Sequence, residues 1–163
     1  QLERLPGQHE RRARNARAFE AALDVPGLAP VAPDPRVTRR AFYCYLLRYD
    51  AREFAGVPRD HLVLALRAEG VPCSGLFYTP LHEEPLLADD PRTNPLARQG
   101  SDWRRGAFPV ASRAAHEESL WLPHELFLGS ERDALDIAAA LRKLHARAAD
   151  LRARPPQGVP TRR

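Results

Sequence analysis

Methionine is absent from this 163-residue sequence, lysine occurs once, at Lys143, and cysteine occurs twice, at Cys44 and Cys73. Each scarcity removes a class of function. The chain opens on Gln1 in QLERL, with no initiator methionine and no apolar leader, and so reads as cut from something longer. Lysine plus arginine totals 25, so arginine supplies 24 (25 − 1), and chemistry that needs a lysine Schiff base has one candidate. The cysteines have no C-x-x-C spacing and no histidine cluster beside them, so no metal site is expected, and free thiols in a reducing cytoplasm are the default. No run approaches the about 18 apolar residues of a membrane span. H-E-x-x-H, G-x-S-x-G and a Gly-rich phosphate loop are missing as well, which argues against zinc hydrolases, nucleophile-elbow hydrolases and P-loop enzymes.

What is present suits one globular domain: 44% hydrophobic and 28% charged residues, with a formal net charge of +4. Residues 1–24 read as a helix. Leu2, Leu5, Ala16, Phe19 and Leu23 share a stripe, RRARNAR forms a solvated face, and Pro6-Gly7 should kink or break it. The proline-spaced LAPVAPDPRVT reads as extended connection. Strands are expected over Ala41–Tyr49 (buried on both faces), Val71–Tyr78 and Ser119–Pro123. Helices are expected after Pro58 up to Gly70 and over Val110–Glu118. Residues 83–107 read as a long loop. Ser130 and Asp133 make an S-x-x-D capping pattern, followed by an apolar stripe of Ala134, Ile137, Ala138, Leu141, Leu144, Ala148 and Leu151. Three strands among helices give an α+β fold class, a short, mostly antiparallel sheet with flanking helices.

Chemistry-bearing side chains are few. Lys143 is turned away from the apolar stripe, onto the wet face with Asp136, Arg147 and Asp150. His9, His61 and His145 fall among charges and should be exposed. His82 in F-Y-T-P-L-H and His124 in W-L-P-H lie where a loop can present a side chain to a pocket. RRARNAR lacks interleaved aromatic residues, so a nucleic-acid-binding domain is the weakest of the functional classes. A non-catalytic binding or regulatory module stays open beside an enzyme part.

Four segments in register resemble one family. QLERLPGQHERRARNARAFEAAL is similar to the helix leaving the cofactor domain of the DegT/DnrJ/EryC1/StrS aminotransferases, and RRAFYCYLLRYD to their first small-domain strand. VPRDHLVLALRAEGVPCSGLFYTPLHEEPL resembles their helix–strand unit with its P-L-H-x-x-P turn. FPVASRAAHEESLWLPHELFLGSERDALDIAAALRKL resembles their closing segment. The resemblance covers roughly residues 1–145, and its W-L-P-H and S-G-L-F-Y-T-P-L-H forms are most similar to members acting on cyclitols such as inososes.

That resemblance implies the carboxyl-terminal small domain of a fold type I, homodimeric enzyme. Such an enzyme uses pyridoxal 5'-phosphate to move an amino group from an amino-acid donor onto a keto-sugar or keto-cyclitol. It implies a connecting helix over residues 1–27, the small domain over 28–152 and a disordered tail over 153–163. It also implies that the Schiff-base lysine lies elsewhere, since Lys143 matches a surface position. No catalytic residue is therefore expected in this chain, and no cofactor-binding residue is assigned. The candidate substrate contacts are Tyr78 and His82, then Arg48 for a carboxylate or phosphate. Without the cofactor domain, Leu2, Leu5 and Phe19 should be left partly exposed.

Overall fold

The computed structural model describes residues 1–76, 78–84 and 108–156, so the expected loop beyond Glu84 and the tail beyond Pro156 lie outside the described residues. Five α-helices and a three-stranded antiparallel sheet make up the described part: α1 (Leu5–Ala22), β1 (Leu28–Pro30), β2 (Cys44–Tyr49), α2 (Arg59–Ala68), α3 (Pro109–Arg113), β3 (Ser119–Pro123), α4 (Glu131–Ala146) and α5 (Ala148–Ala153). The α+β class therefore holds, with strand order β1-β2-β3.

Several local expectations are corrected. Pro6-Gly7 does not break α1, because Pro6 falls in the first turn, where the missing N–H had no helical partner to lose. LAPVAPDPRVT is not all connection: Leu28–Pro30 pairs with Leu47–Tyr49 as β1. The described residues of Val71–Tyr78 do not form a strand. Among them only Ser74 bridges Trp121, through reciprocal backbone bonds of 2.9 and 2.7 Å, on the edge of β3 opposite β2. The first expected strand begins at Cys44 rather than Ala41 and is buried on one face only, with Tyr45, Leu47 and Tyr49 inward. The Val110–Glu118 helix is α3 followed by a π turn, Ala114–Glu118. The last helix divides at Arg147.

The core forms where the inner sheet face meets α1, α2 and α4. Tyr45, Leu47, Leu120 and Leu122 pack with Phe19, Leu62, Leu66, Phe127 and Leu141, all with almost no exposure. Phe19 stands edge-on to Tyr45 with ring centroids 5.4 Å apart, so this residue is fully buried rather than partly exposed. Leu2 and Leu5 do remain exposed. The arginine-rich run is not all solvated either: Arg12 and Asn15 face inward. Helix α4 starts where expected, with Ser130 Oγ accepting from the Asp133 N–H and Asp133 Oδ2 accepting from the Ser130 N–H at 2.7 Å. Such a reciprocal cap contributes about 1 kcal/mol.

Both thiols are free, as expected. Cys44 sits in β2 opposite Pro123, while Cys73 adjoins the bridge on the far edge of β3. Two strand spacings of about 4.8 Å separate those lines, beyond the about 7 Å reach of a disulfide. No helix among the described residues is long and apolar enough to cross a membrane.

Candidate functional site

The outer face of the sheet carries Leu46 on β2 with Ser119 and Trp121 on β3. Leu76, Tyr78, Thr79, Pro80, Leu81 and the small residues Ala111, Ala114 and Ala115 line an open recess of about 410 Å³ over them. Tyr78 is 70% exposed at its rim. Its hydroxyl shares a hydrogen bond with Tyr43, and that bond, together with the charge Tyr78 would carry, raises the Tyr43 hydroxyl above its ordinary pKa.

A buried arginine ties together the backbone beside this recess. The Arg59 guanidinium, on the first residue of α2, donates to Asp60 Oδ1 at 2.7 Å, to the carbonyls of Ser119 (2.8 Å), Ala115 (3.2 Å) and His116 (2.7 Å), and to the Gly75 carbonyl. Ser119 Oγ also donates to Gly75 O at 2.7 Å. A π turn exposes carbonyls that an α-helix would use internally, and here a five-donor fork collects them. Arg59 thereby ties the turn and the start of β3 to Gly75, beside the Ser74 bridge.

From that turn and α3, two side chains four residues apart reach Glu83. Ser112 Oγ donates to Glu83 Oε1 at 2.9 Å, and His116 Nε2 lies 2.6 Å from Glu83 Oε2. His82 Nε2 is 2.9 Å from the same Ser112 Oγ, with its ring tilted against Phe108 at 4.9 Å and its side chain only 6% exposed. Burial would raise the Glu83 carboxyl, but the hydrogen bonds from His116 and Ser112 and the charges of His116 and His82 outweigh it and hold it below its ordinary value. Two elements distant in sequence thus pin the 81–84 turn at the mouth of the recess.

Of the expected contacts, Tyr78 and His82 come together on one segment. Arg48, exposed on β2, opens instead on a separate recess beside β1 with Pro26, Gly27, Asp50 and Glu53. His124 lines an adjoining recess with Tyr43, Cys44, Cys73 and Trp121, the last of which also lines the first recess. His9, His61 and His145 are half-buried rather than exposed. His145 stands edge-on to Phe54 at 4.8 Å. Lys143 behaves as expected, its Nζ 2.7 Å from Glu69 on an outer face and its side chain 53% exposed. Ser112, Glu83, His116 and Arg59 were missed as a unit. The i, i+4 spacing of Ser112 and His116 was visible in the sequence, but their shared partner was not. No group of three or more metal-ligating side chains is placed to hold an ion among the described residues.

The family of DegT/DnrJ/EryC1/StrS aminotransferases matches residues 1–142. A provisionally named L-glutamine:3-amino-2,3-dideoxy-scyllo-inosose aminotransferase of Streptoalloteichus tenebrarius is 38% identical over 151 residues, 88% of this chain and 36% of that protein. The L-glutamine:2-deoxy-scyllo-inosose aminotransferase of the same organism is 34% identical over 158 residues, 94% of this chain and 37% of its own length. Among solved structures, the crystal structure of the aminotransferase TlmJ from Streptoalloteichus hindustanus superposes with a TM-score of 0.66 at 29% identity, over 89% of this chain and 34% of that one. The chain thus spans about 36% of the length of the curated relatives it matches.

Proposed function

The chain belongs to the DegT/DnrJ/EryC1/StrS aminotransferase family, and from that membership we propose that it is the carboxyl-terminal part of an aminotransferase. That enzyme transfers an amino group from L-glutamine to a keto-cyclitol of the inosose class, in the making of amino sugars and aminocyclitols for antibiotics. The supporting observation is similarity that runs through 88% of the chain to an inosose aminotransferase. In this proposal the enzyme is a cytoplasmic homodimer dependent on pyridoxal 5'-phosphate. The chain's one lysine does not fit the cofactor's aldehyde: Lys143 is committed to Glu69 on an outer face of α4, away from the recess. In this proposal the lysine that takes the cofactor's aldehyde lies outside this chain, and the chain's residues hold and orient the substrate.

What the chain contributes is substrate recognition. Tyr78 supplies a hydroxyl at the rim of a mostly apolar recess, and His82 supplies a ring held close by. A polyhydroxylated ring needs such directed donors and acceptors, because each unmatched buried polar group costs about 1–3 kcal/mol. Arg48 faces a separate recess and takes a lesser part, toward a carboxylate or phosphate. In the aminotransferase carrying this chain, His82→Ala is expected to lower kcat/KM for 2-deoxy-scyllo-inosose by roughly ten- to a hundredfold, at about 1.4 kcal/mol per tenfold. Unchanged kinetics for both His82→Ala and Tyr78→Phe would return these residues to a structural role.

A further inference from the structure

Three protons decide how His82 can meet a ligand. Ser112 has one hydroxyl proton, and its Oγ lies 2.9 Å from Glu83 Oε1 and 2.9 Å from His82 Nε2. Glu83 is an acceptor only: its other oxygen takes the His116 Nε2 bond at 2.6 Å, a charge-assisted length. Were the Ser112 proton directed at His82, Ser112 Oγ and Glu83 Oε1 would face each other as two acceptors at hydrogen-bond distance. The proton therefore goes to Glu83, and Ser112 can only accept from His82. The ring points the same nitrogen at Glu83 Oε1, 3.5 Å away, where a lone pair would again meet a carboxylate oxygen.

We infer that Ser112, held by Glu83, is a positioning residue that fixes the neutral His82 ring as its Nε2–H tautomer and so makes Nδ1 the acceptor His82 offers to the substrate. His116 completes the arrangement, since its main-chain oxygen is taken by Arg59 while its ring holds Glu83. The Phe108 ring packs against His82 at 4.9 Å and restricts its movement. The ligand class follows from the acceptor: a neutral Nδ1 receives a hydroxyl proton, as a cyclitol offers, and does not donate to a carboxylate. The substrate half of this inference rests on the recognition role proposed above for His82.

The tautomer is read directly by long-range 1H–15N correlation on the 15N-histidine-labelled protein in mildly alkaline solution, with the His82 signals assigned by their loss in His82→Gln. The expected result is a protonated Nε2 and a bare Nδ1. Ser112→Ala should move both nitrogens toward the averaged shifts of an exchanging ring, and Ser112→Thr, which keeps the hydroxyl, should restore them. An averaged or Nδ1–H ring in the unaltered protein, which needs no variant to fold, overturns the inference, as does an unchanged ring in Ser112→Ala. In the aminotransferase carrying this chain, Ser112→Ala should lower kcat/KM for the cyclitol about tenfold, with Ser112→Thr within about twofold of the unaltered enzyme. A shifted tautomer with unchanged kcat/KM would overturn the positioning role. The NMR result tests Ser112 alone and the His82→Ala kinetics test the recognition role alone, so the two failures are distinguishable.

Discussion

The Asn15 side-chain amide donates to the Phe127 carbonyl at 3.0 Å across 112 residues of sequence, with no solvent exposure of Asn15. A second bond, to Gly129 O at 3.0 Å, makes the amide a clamp between α1 and the turn that precedes α4. Removing it leaves two carbonyls without their donor, a loss of about 2 kcal/mol. Asn15→Ala should lower Tm by about 4–8 °C, at about 2–4 °C per kcal/mol for a domain of this size. Thermal unfolding followed by circular dichroism checks this, and a shift within 1 °C of zero refutes the clamp.

Two glycines should respond with opposite signs. A Cβ at Gly75 would land on the buried Arg59 guanidinium, whereas a Cβ at Gly7, in the first turn of α1, meets nothing within 4 Å. Gly75→Ala is therefore expected to destabilise by about 2 kcal/mol or more, as overpacking does. Gly7→Ala should stabilise by up to about 0.5–1 kcal/mol through helix propensity. Urea titrations of the two variants side by side decide it, and equal shifts would contradict the packing described around Arg59.

Acid sensitivity should be traceable to Asp50. Hydrogen bonds from the Arg52 side chain and backbone hold its carboxyl down to about 2, against an ordinary 3.8. A depressed folded-state pKa adds stability at any pH above 3.8 and loses it as pH falls toward 2. Asp50→Asn should therefore show a shallower fall in urea midpoint between pH 4 and pH 2 than the unaltered protein. Parallel curves would remove Asp50 from the acid response.

Lys143 should be chemically ordinary. Mixing the chain with pyridoxal 5'-phosphate, reducing with borohydride and mapping the adduct should yield no stoichiometric product at Lys143. The chain alone should turn over no substrate. A specific adduct on Lys143 together with turnover would overturn the assignment of the cofactor lysine to another part of the protein.

The sequence carried the fold where local patterns and tertiary contacts agree. The S-x-x-D cap and three–four spacing located α4, and alternation in SLWLP located β3. It misled where propensity and partners disagree. Val71–Tyr78 has strand-like composition, but among its described residues only Ser74 finds a ladder partner, while the short Leu28–Pro30, hidden among prolines, gains its identity from Leu47–Tyr49. Arg12 and Asn15 read as wet because their residue types are polar, and nothing local says that Asn15 meets two carbonyls 112 and 114 residues away. The site was half legible. Tyr78 and His82 stood out by position, but the carboxylate and hydroxyl that orient His82 come together only when α3 folds back over the 81–84 turn.

Arg59 has a consequence for the order in which the molecule assembles. Its backbone-carbonyl partners lie 16, 56, 57 and 60 residues along the chain, so the guanidinium stays in water until those long loops close. Loop closure must precede the reward, so these bonds are expected to form late, after the rate-limiting barrier. Weakening them, as in Arg59→Lys, should then speed unfolding far more than it slows refolding, a ratio that chevron kinetics read directly. On that expectation Arg59 is a late latch, which sets how long the native state lasts and has little say in how quickly it is reached.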